Sequence, residues 1–207
     1  MNLTLPIIGG KVLKVWVLPE PLNLSAGSPD MGHPNLVSVQ PGSYSGTTPG
    51  YFNFPVPNYN TMTATVRAGG GGGAMGFRQA SIGAGGNGGA SSFASSTPVA
   101  ASPGLGHPAT FTGPPPDQGG SGGTVTVGGG GAAGQGADSD PGYVVPNATY
   151  NGSAGGRVTK TWNRTDTDSP VPGTTIGITV GNGGAPGTNG GFTAYPGGTG
   201  SVNINWS

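Results

Sequence analysis

Glycine is the feature that most constrains what this chain can fold into. Runs of consecutive glycines occupy positions 69–73 and 128–131, and the 207 residues contain 46 glycines and 21 prolines. Glycine costs about 1 kcal/mol per helical position relative to alanine, and proline about 3 kcal/mol. An α-helical architecture is therefore close to excluded. An ordinary apolar core is also doubtful, because hydrophobic residues make up only 32% of the chain.

Elsewhere in the chain glycine recurs at every third position. The longest such series is Gly181, Gly184, Gly187 and Gly190. Period three is the repeat of the polyproline II helix, which has no internal hydrogen bonds. A missing side chain at every third position lets such helices approach closely and exchange backbone N–H···O=C bonds. We therefore predict a bundle of glycine-rich polyproline II-type helices in which these four glycines face inward. The alternative is a flexible linker.

Between the glycine tracts, apolar and polar residues alternate in short segments, a pattern typical of half-buried β-strands. These segments are 52–56, 61–68, 125–127, 157–162, 175–180 and 201–206. The two most hydrophobic, 175–180 and 201–206, are expected to be neighbours in one sheet. The predicted fold class is mainly β, with short antiparallel strands framing the glycine-rich bundle and no significant α-helix.

The composition changes near residue 40 and divides the chain in two. Residues 1–40 contain few glycines and include the segment 11–18, which reads as a β-strand with two apolar faces. Such a strand is prone to pair with another chain. We predict that residues 1–40 form an attachment and oligomerisation segment, ordered only against another subunit or protein. Residues 41–207 form the glycine-rich domain.

Both ends of the glycine-rich domain resemble one family. The segment 50–57, followed by 61–68 and the five glycines, resembles the start of glycine-rich domains in bacteriophage tail proteins. The ending, 176–184 and 197–206, is similar to that family's closing hairpin with its terminal tryptophan strand. The resemblance covers about residues 47–207. It departs from the family at Arg67, where an aromatic residue is common.

The resemblance implies a virion component, namely a tail or fibre-tip adhesin whose loops between glycine-rich helices bind a receptor on the host bacterium. Its partners would be other tail or fibre proteins, bound through residues 1–40, and a host cell-surface protein or polysaccharide. By analogy with fibres, a homotrimer is expected. The alternative is a purely structural virion protein (a head fibre, decoration protein or tail appendage) that uses the domain as a stable spacer. No lysine or arginine precedes the first apolar stretch, so we expect no signal peptide and synthesis in the host cytoplasm.

Other functions find little support in the residues. The two histidines, His33 and His107, lack partners at metal-ligating spacing, and Asp166 and Asp168 lack the other ligands of a calcium loop. We therefore expect no enzyme, cofactor or metal site. Seven basic residues balance seven acidic ones, which argues against a nucleic-acid partner. The chain contains no apolar run of the length that crosses a bilayer.

Two longer segments, 93–118 and 138–170, interrupt the glycine framework and are the expected location of specificity. Aromatic rings, amides and arginine in loops are typical of recognition surfaces. The candidate receptor-binding residues are His107, Phe111, Tyr143, Tyr150, Trp162, Asn163 and Arg164. The alternative for Tyr143 and Trp162 is packing against the domain's own sheet, and for Trp162 the two alternatives are evenly balanced.

Overall fold

The computed structural model describes residues 39–77, 81–110, 115–135, 137–138 and 150–207. Within these ranges the chain is mainly β, with antiparallel sheets and no α-helix, and no helix there is long and apolar enough to cross a membrane. The strands are β1 (Gly42–Gly46), β2 (Gly50–Pro55), β3 (Thr61–Arg67), β4 (Met75–Phe77), β5 (Ser81–Gly83), β6 (Ser91–Phe93), β7 (Val99–Ala101), β8 (Gly120–Ser121), β9 (Thr124–Thr126), β10 (Ala137–Asp138), β11 (Arg157–Asn163), β12 (Thr175–Val180), β13 (Thr188–Asn189), β14 (Phe192–Thr193) and β15 (Ser201–Trp206). The predicted strand 11–18, and nearly all of the predicted segment 1–40, lie outside the described residues.

Two antiparallel five-stranded sheets enclose the main core. Sheet A has the strand order β1-β15-β3-β11-β9, and sheet B has the order β2-β12-β6-β7-β8. On β3 the residues Met62, Ala64 and Val66 are fully buried, whereas the residues between them are partly exposed. This alternation directs one face of sheet A toward sheet B, which contributes Phe93 and Ile178 to the same cluster. The result is a β-sandwich with a polar outer face on sheet A.

The strand predictions are confirmed, but one predicted pairing is wrong. Each of the six predicted segments overlaps a strand of the sandwich. However, β12 and β15 are not neighbours, because β12 lies in sheet B and β15 in sheet A. Their apolar side chains, such as Ile178 and Val202, meet in the core between the sheets. Both strands are strongly hydrophobic because they face the same core from the two opposing sheets.

Seven strands continue, at one end of the sandwich, into segments that belong to no sheet. We call these the glycine segments. They are 68–74 after β3, 84–90 before β6, 102–107 after β7, 128–135 after β9, 150–156 before β11, 181–187 after β12 and 194–200 before β15. Segment 68–74 exchanges backbone hydrogen bonds with all of the other six, and those six bond to one another in a closed ring. One segment is thus the centre of a bundle.

The hydrogen bonds of the central segment repeat every three residues. The N–H groups of Gly69 and Gly72 donate to the carbonyl groups of Gly89 and Gly86 in segment 84–90. Those of Gly70 and Gly73 donate to Gly198 and Tyr195 in segment 194–200. Those of Gly71 and Ala74 donate to Ser153 and Tyr150 in segment 150–156, and all six bonds are 2.8–3.1 Å long. The carbonyl groups of the central segment accept from the remaining three segments with the same repeat, for example from the N–H groups of Gly184 and Gly187. Each neighbour is therefore contacted once in every three residues.

This packing explains where glycine is required. A Cβ atom on any residue from Gly69 to Gly72 would lie 1.9–2.0 Å from a backbone oxygen of a neighbouring segment. Because the central segment is surrounded, none of these positions can carry a side chain. Segments of the ring also face solvent, and there Asn182 and Ala185 are exposed. The run of five glycines is thus the bundle centre.

Three of the four glycines predicted to face inward do so. Gly181, Gly184 and Gly187 are buried, and a Cβ there would lie 2.0–2.1 Å from a backbone oxygen. Gly190 instead lies in the exposed turn between β13 and β14, with φ at +58° and nothing within 4 Å of a Cβ. In the sequence the three-residue glycine period continues beyond Gly187, where the glycine segment ends. The chain reverses direction between β13 and β14, and Gly190 provides the positive φ of that turn.

Candidate recognition surface

At the end of the bundle remote from the sandwich, which we call the far end, hairpins join two pairs of glycine segments. The hairpin of β4 and β5 joins segments 68–74 and 84–90, and the hairpin of β13 and β14 joins segments 181–187 and 194–200. Strand β10 pairs in parallel with β4. Met75 and Gly76 of β4 are buried, whereas Thr188 of β13 and residues 190–193 are exposed. The β13–β14 hairpin is therefore where the far end presents connecting chain to its surroundings.

A small cluster of buried side chains closes the bundle toward the far end. Ala74 and Tyr150 are buried there, with Ile82 packed against them. The ring of His107 meets that of Tyr150 edge-on, with centroids 5.9 Å apart. His107 Nδ1 also lies 2.6 Å from the carbonyl oxygen of Pro108. His107 and Tyr150, both predicted to bind a receptor, are thus interior residues that support the far end.

Trp162 is an interior residue of the sandwich. It is fully buried, its ring lies 5.7 Å from that of Phe93, and Lys160 Nζ lies 5.3 Å from its ring centroid. Of the two alternatives for Trp162, the structure shows packing within the domain rather than exposure on a loop. Its indole Nε1 is buried and has no hydrogen-bond partner. A hydrophobic role therefore explains this residue.

Asn163 and Arg164 are exposed, but they lie at the end of the sandwich opposite the bundle. The Asn163 N–H donates to Asp166 Oδ2 at 2.7 Å, and the Arg164 N–H donates to the carbonyl oxygen of Asn60 at 2.8 Å. Both residues thus belong to the turn that follows β11. Phe111 and Tyr143, the remaining candidates, lie outside the described residues. The structure therefore does not bring the predicted residues together into one site.

The two segments predicted to interrupt the framework are largely part of it. The described residues of 93–118 include β7 and glycine segment 102–107, and those of 138–170 include glycine segment 150–156 and β11. A sequence signal was available, because Gly152 and Gly155 are spaced by three. Segment 102–107 offers no such signal, because its glycines, Gly104 and Gly106, are two residues apart.

Two exposed aromatic residues that the sequence analysis missed lie toward the far end. Phe192 on β14 is 51% exposed, and Tyr195 at the start of segment 194–200 is 60% exposed. The backbone of Tyr195 is fixed, since its N–H donates to Gln135 and its carbonyl accepts from Gly73. Large rings held on a bonded backbone provide contact area with little loss of entropy. The adjacent glycines of the β13–β14 turn were the signal that could have revealed them.

At the opposite end of the sandwich, polar contacts fix the turn that follows β11. Lys160 forms an ion pair with Asp168, and this hydrogen bond holds the pKa of the Asp168 carboxyl below its usual value. The Tyr59 hydroxyl donates to the carbonyl oxygen of Pro170 at 2.7 Å, and burial raises the pKa of Tyr59. Each of these groups has a partner that explains it structurally. No group of three His, Asp or Glu residues in the described ranges could hold a metal ion.

Comparison with protein-family models, with curated proteins and with solved structures finds no match to this chain. The molecule is therefore classed by its own geometry: a β-sandwich that continues into a bundle joined by backbone hydrogen bonds.

Proposed function

We propose that this protein is a bacteriophage tail or tail-fibre-tip protein that binds a receptor on the host bacterium. The observation that carries the proposal is the bundle itself, which holds its connecting hairpins at one end on a backbone-bonded support. Binding residues commonly lie on loops that a rigid scaffold positions. Phe192 and Tyr195, exposed aromatic residues on that support, are our candidates for receptor contact.

We further propose that the glycine segments are polyproline II-type helices of polyglycine. The polyproline II helix has three residues per turn. The donors of the central segment return to the same neighbour every third residue, which is the pattern such helices require. In segment 181–187 the buried positions recur with the same period, at Gly181, Gly184 and Gly187.

Competition for phage adsorption tests receptor binding. Purified full-length protein is expected to slow adsorption of the phage to its host, and a Phe192→Ala, Tyr195→Ala double variant is expected to lose this effect. Tyr51→Ala is the matched control, because Tyr51 is an exposed tyrosine on sheet B, away from the far end. Wild-type protein that neither binds host cells nor slows adsorption would contradict the proposal.

The second candidate is a purely structural virion protein in which the bundle is a spacer. It is favoured by the burial of His107, Tyr150 and Trp162, which removes three predicted receptor contacts from the surface. Electron microscopy with a labelled antibody separates the two candidates. Tail-tip labelling supports the adhesin, and capsid labelling supports the spacer.

The proposed partners can be tested in solution. We propose that residues 1–40 join the chain to other tail or fibre proteins and support a homotrimer. Sedimentation equilibrium should then give three times the chain mass of 20.0 kDa. A monodisperse monomer with residues 1–40 rigid would contradict this assembly.

A further inference from the structure

A cleft of about 690 Å³ opens on the outer face of sheet A. It forms where the sheet steps: β9 pairs with β11 only over Arg157, Val158 and Thr159, whereas β11 continues to Asn163. Beyond that point β11 has no neighbour on this side among the described strands. The volume lies within the range of about 300–1,000 Å³ that is typical of small-ligand sites.

Hydroxyl groups line the cleft and continue beside it. Four threonines contribute to the lining, namely Thr124, Thr126, Thr159 and Thr161. Two of them bond across to β3, where Thr65 Oγ1 lies 3.2 Å from Thr159 Oγ1 and Thr63 Oγ1 lies 2.9 Å from Thr161 Oγ1. A hydroxyl can donate one hydrogen bond and accept two. Each pair therefore keeps bonding capacity for a ligand with hydroxyl groups of its own.

At and beside the end of the cleft nearest the bundle lie two arginines that have no carboxylate partner among the described residues. Arg157 lines the cleft, and Arg67 is its directly opposite residue on β3. Like charges in this position repel each other. The Nε atom of each is buried and lacks a hydrogen-bond partner. The other cation of the lining, Lys160, is paired with Asp168, so the arginines are the cations left for an anion.

We propose that this cleft binds an acidic saccharide. Its carboxylate would accept hydrogen bonds from Arg157, with Arg67 adding positive charge, because the planar guanidinium matches a carboxylate. Its hydroxyls would bond to the threonines. A small inorganic anion would satisfy the arginines but leave most of the cleft empty. Single-stranded nucleic acid is disfavoured because its bases stack on aromatic rings, and no aromatic side chain lines the cleft.

This inference goes beyond the proposed function and is independent of it, because the cleft lies on the sandwich and the proposed receptor contacts lie toward the far end. Full-length protein is titrated by calorimetry, at low salt, with a trisaccharide of galacturonic acid, with maltotriose and with inorganic phosphate. The acidic trisaccharide is expected to bind, maltotriose to bind at least tenfold more weakly, and phosphate to bind more weakly than the trisaccharide.

Variants assign the binding to the cleft. Arg157→Gln is expected to weaken trisaccharide binding at least tenfold, and Arg157→Lys is expected to weaken it less, since the charge remains but the planar fork is lost. Arg164→Gln removes an exposed arginine outside the cleft and should leave affinity unchanged. If Arg157→Gln fails to fold, Thr161→Val removes one exposed hydroxyl and should weaken binding several-fold. The double variant at Phe192 and Tyr195 should bind the trisaccharide as the wild type does.

Three results would overturn the proposal. The first is equal affinity for maltotriose and the acidic trisaccharide, or no binding of the trisaccharide at millimolar concentration. The second is phosphate binding as tight as trisaccharide binding, which would mean that the arginines hold an adventitious ion only. The third is wild-type affinity in Arg157→Gln, which would place the saccharide elsewhere on the protein.

Discussion

Replacing Gly184 by alanine tests the packing of the bundle most directly. A Cβ at this position would lie 2.1 Å from the carbonyl oxygen of Gly86 and 2.5 Å from the backbone nitrogen of Gly72. Ordinary van der Waals contacts of a Cβ begin near 3.4 Å. Both obstructing atoms belong to the backbone, so no side-chain rotation can relieve the clash. The segments must move apart by about an ångström instead.

The magnitude follows from the bonds that converge there. The Gly184 N–H donates to Gly70 at 2.8 Å, the Gly184 carbonyl accepts from Gly197 at 2.9 Å, and the Gly72 N–H donates to Gly86 at 2.8 Å beside the new methyl group. Overpacking alone destabilises by roughly 1–3 kcal/mol, and each weakened hydrogen bond adds up to about 1 kcal/mol. We expect the free energy of unfolding to fall by about 3–5 kcal/mol. The melting temperature should then fall by roughly 6–20 °C.

Thermal melts followed by circular dichroism provide the assay. Gly187→Ala should behave like Gly184→Ala, because its Cβ would lie 2.0 Å from the carbonyl oxygen of Gly83. Ala185→Ser, at an exposed position out of phase, should melt with the parent protein. Gly190→Ala has open space but a positive φ of +58°, so it should cost only the roughly 1–2 kcal/mol of a left-handed backbone.

If the glycine segments were a flexible linker, the same substitutions would not lower the free energy of unfolding. Alanine in place of a linker glycine is neutral or stabilises by about 0.4–1 kcal/mol, because it restricts the unfolded chain. If Gly184→Ala and Gly187→Ala melt at or above the parent temperature, the reasoning from bundle packing is refuted.

Substitutions at three further positions probe the sandwich. Trp162→Ala should lower the free energy of unfolding by about 3–5 kcal/mol in chemical denaturation, whereas Trp162→Phe should cost much less than this, because the indole N–H has no partner to lose. Tyr59→Phe removes the hydrogen bond to Pro170 and should cost about 1 kcal/mol at pH 7. Burial raises the folded-state pKa of Tyr59, so its contribution is complete below about pH 10 and is lost as the pH rises through the folded pKa. The advantage of the wild type over Tyr59→Phe should therefore shrink as the pH rises above about 10. Asp168 has a lowered pKa, so its contribution to stability is present above about pH 4 and is lost as the pH falls through the folded pKa. Asp168→Asn should therefore be less stable than the wild type near neutral pH and match it in strong acid. The difference in stability near neutral pH should shrink in high salt.

All but one of the strands that the sequence predicts are long enough to show a period, the exception being the three-residue β9. In β3 the alternation of Met62, Ala64 and Val66 with threonine spans seven residues, and it marks the core face directly. Strands β6 and β7 are three residues each, too short for a repeat to be recognised. Strand β1 reads Gly-Ser-Tyr-Ser-Gly and has a single apolar ring. Its position comes from pairing with β15, which only the folded chain provides.

The recognition residues were harder to predict, because burial in this protein depends on which segments become neighbours. His107 and Tyr150 lie in segments that the sequence separates but the ring places side by side, where the Ser153 N–H donates to the carbonyl oxygen of Leu105 at 2.9 Å. Composition selected these aromatic residues as loop residues. The cleft was missed for a related reason: Arg67 and Arg157 become neighbours only through the register of β3 and β11.

The difference between the central segment and the ring connects the glycine pattern to the proposed function. A segment with six neighbours has no free direction, so its glycines from Gly69 to Gly73 are consecutive and fully buried. A ring segment has a solvent side, so positions such as Asn182 and Ala185 can carry side chains. Backbone contacts thus fix glycine at the buried positions of the segments and at Gly83 of β5, whereas the outward positions of the ring make no such demand. A bundle stabilised through its backbone can therefore change the side chains that it presents without changing what holds it together, which is the property that a receptor-binding protein needs.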